Sequence, residues 1–405
     1  MNILLVHNFY GSEAPSGENR VFELEKELLI KHGNNIITYE RYSDEIRQAG
    51  IKGKIKGGVV TPWNFTSFHD VKKIAKSNSL DIVHVHNTFP LISPSIIHAL
   101  KNSTPVVLTL HNYRLFCAAG IPMRAGEVCT KCIEDKSALP GLVHKCYRGQ
   151  RLATLPLTIN ILMHRRLKTW TELVDGFIVF TEFQKSLVEN AGVPGDKIYI
   201  KPNYYPGYPM VRSWEARENT IIYAGRLSEE KGAKDLISAW RIWGQSAPEL
   251  KIYGDGELIE ELCGLVRELD LSEKIKFYGK CSSEEVEAAI ASSRMVIVPS
   301  ICFEGFPMVV REAFAYGTPV AASNLGPLKS IVKDGVLGVN FMPGNAQSIF
   351  DRVSSVWNNS HKMEEYSVKC REEFELKYNE NANYSNLMEI YHSVINKKAE
   401  KDRVI

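Results

Sequence analysis

Apolar residues along this 405-residue chain fall into two alternating rhythms. Short runs rich in Val, Ile and aromatic residues are apolar at successive positions. Longer stretches carry apolar residues every three or four positions, the spacing of one helix face. In the first half the short runs are Ile3–Val6, Ile36–Tyr39, Ile82–His86, Val106–Leu110, Phe177–Phe180 and Lys197–Ile200. In the second half they are Ile221–Ala224, Leu250–Tyr253, Ile275–Tyr278, Met295–Pro299 and Pro319–Ala322. Residues 18–32 read as a helix with Val21, Phe22, Leu24, Leu28 and Leu29 on one side, stopped by Gly33. Helical runs at 233–243, 258–269, 284–291 and 309–316 follow the later strands. Strands apolar on both faces belong to parallel sheets covered by helices on each side. Two such arrays in succession predict an α/β chain of two Rossmann-like domains. The segment Pro202-Asn-Tyr-Tyr-Pro-Gly-Tyr-Pro209 is the expected linker, and residues 379–398 read as a closing helix.

In open sheets of this kind ligands sit outside the carboxyl ends of the strands. Residues just after a strand are therefore the candidates. Arg226 and Lys231 lie in Gly225-Arg-Leu-Ser-Glu-Glu-Lys-Gly232, a loop leading into a helix. Two cations beside a positive helix end suit a diphosphate, although solvated salt bridges would explain them equally well. After Met295–Pro299 come Glu304-Gly-Phe-Pro307-Met308-Val309 and then Glu312. Gly305 permits close backbone approach, and Pro307 reads as an early helix position. The amides of Phe306, Met308 and Val309 then point at an anion. Glu304 and Glu312 can accept paired sugar hydroxyls; the plainer alternatives are a helix cap and a surface ion pair. His111 ends Val106–Leu110 and can bond a sugar hydroxyl or a phosphate. His7, His84 and His86 share strand-end positions and read as packed polar residues. Ser16-Gly17 opens the first helix and can offer amides to a phosphate. No GxGxxG, GxxxxGK[ST], HExxH or GxSxG motif stands in its required context, which argues against a nicotinamide dehydrogenase.

Composition narrows the class. Hydrophobic residues make up 44% and charged residues 24%, so the chain is neither disordered nor a polytopic membrane protein. The net charge of +2 argues against a dedicated nucleic-acid partner. It hides an asymmetry: residues 1–203 hold 25 basic against 18 acidic residues, a net of +7, and residues 204–405 a net of −5. From Lys136 to Thr171 there are seven Lys or Arg and no acid, around the apolar run Leu152–Met163. Arg47, Lys52, Lys54 and Lys56 add a second acid-free stretch. A basic rim around an apolar segment suits anionic lipid; a core helix with a solvated basic end is the alternative. The amino terminus reads as a buried strand and not as a secretion signal, so a cytoplasmic protein, at most at the inner face of the membrane, is expected. Of eight cysteines, Cys117, Cys129, Cys132 and Cys146 cluster. Their C-x2-C core fits a tetrahedral structural zinc, with free thiols or disulfides as alternatives.

Taken together, these residues resemble the retaining GT-B glycosyltransferases of family 4. Glu304-Gly-Phe-Pro followed by Glu312-Ala-Phe-Ala-Tyr-Gly-Thr-Pro-Val looks like the family's E-x7-E motif. Gly225-Arg-Leu-Ser-Glu-Glu-Lys-Gly232 resembles its G-R-L-x-x-x-K-G element, and Gly254-Asp-Gly256 and Phe277-Tyr-Gly279 also fall in family order. The cysteine-rich loop resembles that of a subset of these enzymes. The resemblance implies two domains facing across a cleft, residues 1–203 with 379–405 on the acceptor side and 204–378 holding the donor. It implies that Arg226 and Lys231 hold the donor diphosphate, Glu312 the ribose and Glu304 the transferred sugar. Gly279 and Lys280 would lie by the base, Gly17 by the diphosphate, and His111 would be the donor-side histidine. Ser16-Gly17 stands where many members have Gly-Gly, a departure from the pattern. The implied activity is transfer of a sugar from a UDP-sugar, or secondly a GDP-sugar, to a glycan or lipid-linked acceptor in cell-envelope polysaccharide synthesis. That covers O-antigen, capsule or exopolysaccharide. No catalytic metal is expected. An epimerase or hydrolase of the same fold, or a non-catalytic nucleotide-sugar-binding subunit, remain the alternatives.

Overall fold

A computed structural model describes residues 1–11, 16–101 and 103–404. The chain forms two compact units. The first comprises residues 1–122, 130–201 and 383–405; the second comprises 123–129 and 202–382.

The first unit holds six parallel strands. They are β1 (Asn2–Phe9), β2 (Asn35–Tyr42), β3 (Ile82–Asn87), β4 (Val106–Thr109), β7 (Gly176–Val179) and β8 (Ile198–Ile200), in the order β2-β1-β3-β4-β7-β8. All six positions of β3 are buried, the polar His84, His86 and Asn87 included. The period of two splits each central strand between two cores. Leu4, Val6, Val83 and Val85 face one cluster. Ile3, Leu5, Ile82 and Ile178 face another, closed by Leu387, Ile390, Tyr391 and Val394 of the closing helix Glu380–Val404. Helix Gly17–Lys31 starts at Ser16, whose hydroxyl accepts from the Glu18 amide at 3.2 Å, and stops before Gly33 at φ +79°.

Between β4 and β7 lies a two-strand antiparallel hairpin, β5 (Met123–Arg124) and β6 (Glu127–Val128), grouped with the second unit. That unit holds β9 (Glu218–Ala224), β10 (Glu249–Tyr253), β11 (Ile275–Gly279), β12 (Ser293–Val298), β13 (Val320–Ser323) and β14 (Gly338–Phe341). All pair parallel, in the order β11-β10-β9-β12-β13-β14. In local numbering this is 3-2-1-4-5-6, the order of dinucleotide-binding sheets. Helix Ala233–Trp243 buries Leu236, Ile237 and Trp240 on the sheet, and the Trp240 indole donates to Pro248 O at 2.8 Å.

Candidate functional site

Strand order locates the site in the second unit. The order reverses between β9 and β12, the switch point outside whose strands' carboxyl ends such sheets bind ligands. Arg226 and Lys231 stand in the loop after β9, and Glu304 in the loop after β12. The structure joins them: the Lys231 ammonium donates to Glu304 Oε1 at 2.6 Å, and the Ser300 hydroxyl donates to the same oxygen at 2.6 Å. Burial alone would raise the Glu304 carboxyl; Lys231, Ser300 and the nearby Arg226 outweigh it and hold the group below its ordinary value. Burial likewise opposes the Lys231 charge, and Glu304 more than restores it. Both groups are ionised. Arg226 is exposed.

Glycines set this geometry. Gly232 takes φ +71°, and a Cβ there would lie 2.0 Å from Pro299 O. A Cβ on Gly254 would meet Gly225 O. The loops after β9, β10 and β11 therefore interlock, with the Gly225 amide donating to Tyr253 O at 3.0 Å and the Gly254 amide to Gly279 O at 2.8 Å. Gly279 has φ +68° and Lys280 beside it is exposed.

After Glu304 and Gly305, Phe306 is buried against the Tyr378 ring. Pro307 is extended and caps helix Met308–Ala315, so it stands before the helix and not within its first turn. Met308 and Val309 open that helix. Glu312 lies one turn further in, and burial pushes its carboxyl up, with Arg311 opposing and Glu287 adding to the rise.

In the first unit, β4 delivers His111. Gln184 clamps the strand end, donating to Leu110 O at 2.7 Å while accepting from the Phe180 amide at 2.9 Å. Asn112 then donates to Glu18 Oε1 at 2.6 Å, joining the His111 loop to the start of the helix that Gly17 opens. Residues 12–15 of the loop before Gly17 lie outside the described residues. Three histidines read as packing residues turn out to differ. His7 stacks on Phe22, whereas His84 and His86 join a buried polar network with Glu25, Lys201, Tyr391 and His111. The available signal was Glu25 itself, an acid on the apolar stripe of helix Gly17–Lys31.

Among the described residues, one group of three or more His, Cys, Asp or Glu brings its ligand atoms within 4.8 Å: Glu25, His84 and His86. The Lys201 ammonium occupies the same carboxylate at 2.8 Å, so positive charge is already supplied there. The four clustered cysteines are not gathered as a ready tetrahedral set. Thiolates around tetrahedral zinc lie about 3.8 Å apart, and no three of Cys117, Cys129, Cys132 and Cys146 come within 4.8 Å. Cys129 falls in the hairpin of the second unit, and the other three in the first. Burial, with Cys132 and Cys146 adding, pushes the Cys117 thiol up to about 11. No disulfide joins any of the eight cysteines.

The family model for glycosyl transferases group 1 matches residues 211–373, and that for glycosyltransferase family 4 matches residues 18–205. The chain belongs to the group 1 glycosyltransferases. An uncharacterized glycosyltransferase of Methanocaldococcus jannaschii is 35% identical over 144 residues, 35% of this chain and 37% of the relative. The phosphatidyl-myo-inositol mannosyltransferase of Mycobacterium leprae is 26% identical over 256 residues, 60% of this chain and 65% of the relative. These alignments span less than two thirds of either relative's length. The crystal structure of Anabaena HepE with UDP superposes with a TM-score of 0.62 at 16% identity over 100% of both chains, a likeness of fold. The two six-stranded α/β units of this group 1 glycosyltransferase are those of the GT-B architecture.

Proposed function

We propose that this group 1 glycosyltransferase moves a sugar from a nucleoside-diphosphate donor, UDP-sugar first and GDP-sugar second, to a hydroxyl of a glycan or lipid-linked acceptor in envelope polysaccharide synthesis. The observation that carries this reading is the Lys231–Glu304 pair, 2.6 Å apart on the two loops at the reversal of the second sheet. Family membership and the UDP held by HepE support it. In this reading Arg226, Lys231 and the amides of Phe306, Met308 and Val309 stabilise charge on the departing diphosphate. Glu304 and the Gly305 backbone grip the sugar, and Glu312 accepts the ribose hydroxyls. Gly225, Gly279 and Lys280 line the nucleotide, while Gly17 and His111 serve from residues 1–203, the proposed acceptor-side domain. The C1–O bond breaks with its electron pair passing to the diphosphate. The acceptor oxygen bonds C1 on the same face, and its proton passes to a diphosphate oxygen, so configuration is retained without a separate base.

The acceptor side has a surface suited to anionic membrane. Helix Gly50–Val60 exposes Ile51, Ile55 and Val59 at i, i+4, i+8, by 77%, 63% and 71%, with Lys52, Lys54 and Lys56 exposed among them. Helix Arg151–Arg166 exposes Leu152, Leu155 and Ile159 beside Arg148 and Arg151, and lies against the first helix where Gly58 faces Pro156. Apolar stripes with basic flanks suit an acidic lipid surface. Among the described residues no helix is long and apolar enough to cross a membrane. The activity is tested by supplying UDP-, GDP-, ADP- and dTDP-sugars with a lipid-linked acceptor. Arg226→Ala and Lys231→Ala should each lose about 10²-fold or more in rate; wild-type rates in both would refute the reading.

A further inference from the structure

Glu25 is 2% exposed, and a carboxylate so buried survives only with partners. Lys201 donates to Oε2 at 2.8 Å. Oε1 meets His84 Nδ1 at 2.9 Å and His86 Nε2 at 3.1 Å. Burial works to raise the Glu25 carboxyl, but Lys201, His84 and His86 together hold it well below its ordinary value. An ionised carboxylate only accepts, so His86 Nε2 carries a hydrogen. Burial keeps His86 neutral, its value pushed down to about 4. A neutral imidazole has one N–H, so His86 Nδ1 is an acceptor. That atom lies 3.1 Å from His111 Nε2, which must therefore donate. His111 is held neutral too, by burial first and then by His86 and His7. Its remaining nitrogen, Nδ1, is left with a lone pair. His84 buttresses the array: Thr109 meets its Nε2 and the Tyr391 hydroxyl its Nδ1, both at 2.7 Å. A cavity of about 40 Å³ is bordered by both His86 and His111, with Asn160 and Trp170 on its wall.

We propose that Glu25 and His86 are positioning residues that fix His111 as its Nε2–H tautomer, so that Nδ1 accepts a hydrogen bond from a hydroxyl of the bound sugar and does not donate to a phosphate. The inference rests on the reading of His111 as a site residue. Its order of parts is that of an acid orienting an imidazole through a second one.

The test has two arms. Long-range proton–nitrogen NMR of the free, nitrogen-15-labelled protein, with His111→Phe for assignment, should show His111 protonated at Nε2; protonation at Nδ1 would overturn the relay. In transfer assays His86→Phe should lower kcat by about 10- to 100-fold with little change in donor KM. His86→Asn, whose carboxamide oxygen can still accept from His111, should recover part of that loss. A wild-type kcat in His86→Phe, or equal losses in both variants, would overturn the proposal. Wild-type transfer by His111→Phe would instead refute the underlying assignment of His111, whatever tautomer the free protein shows.

Discussion

Glu304 and Glu312 sit eight positions apart and meet opposite electrostatic fates. Glu304 has Lys231 and Ser300 on one oxygen and is held below its ordinary value. Glu312 is half-buried with weaker compensation and is pushed up by desolvation. A raised folded-state value means ionisation costs more in the folded protein than in the unfolded chain. Glu312→Gln should therefore raise the Tm of the free protein at pH 8. The gain should shrink as pH falls and vanish below about 4.5, where both states are protonated. On the proposed role the same variant should lose nucleotide affinity, because a carboxamide offers one acceptor oxygen and an NH2 donor where the carboxylate can accept from both ribose hydroxyls. Thermal melts across pH, with and without UDP, check both signs. For Glu304 the sign reverses: its depressed value adds stability above about 4.5 that is lost as pH falls through the folded value. The positions of Arg226, Lys231 and Glu304 were legible because each stands in a loop just after a strand, where the structure pairs Lys231 with Glu304. Glu25, His86 and Lys201 were not, because their partners are far apart in sequence and meet only once the sheet is assembled.

Whole strands were legible for a related reason. Central strands are buried on both faces and so open as apolar runs, as Ile3–Val6 of β1 does. The strand β14 was missed: it is four residues long, begins at Gly338 and lies at a sheet edge. The hairpin of β5 and β6 was missed because two-residue strands carry no period. Gly232 shows how an element depends on one residue. Its φ of +71° and the 2.0 Å approach to Pro299 O leave no room for a side chain between Lys231 and helix Ala233–Trp243. Gly232→Ala should cost about 3 kcal/mol or more, read as a lower denaturation midpoint. The exposed stripe on helix Gly50–Val60 makes a second prediction. Ile51→Asp with Ile55→Asp should weaken binding to anionic vesicles at least about tenfold while leaving the fold intact, since both side chains are exposed. Unchanged sedimentation with such vesicles would remove lipid as the partner of this surface.

At the scale of the whole molecule, two six-stranded parallel sheets differ in strand order and in charge. The second carries the 3-2-1-4-5-6 order of a nucleotide-binding sheet within a half of net −5. On the proposed function, Arg226 and Lys231 supply the local positive charge for the donor diphosphate there. The half of net +7 carries the exposed apolar helices and the histidine network. The proposed division of labour places the donor in one half and the acceptor, with its membrane, in the other. The measurement that bears most directly on it is sugar transfer itself. The full chain, supplied with UDP-sugars and a lipid-linked acceptor on anionic vesicles, should release UDP and glycosylate the acceptor with retained configuration. Lys231→Ala should abolish most of that transfer while melting as a folded protein. Transfer that survives Lys231→Ala undiminished, or a folded wild type that glycosylates no acceptor from any nucleotide sugar, would contradict the account.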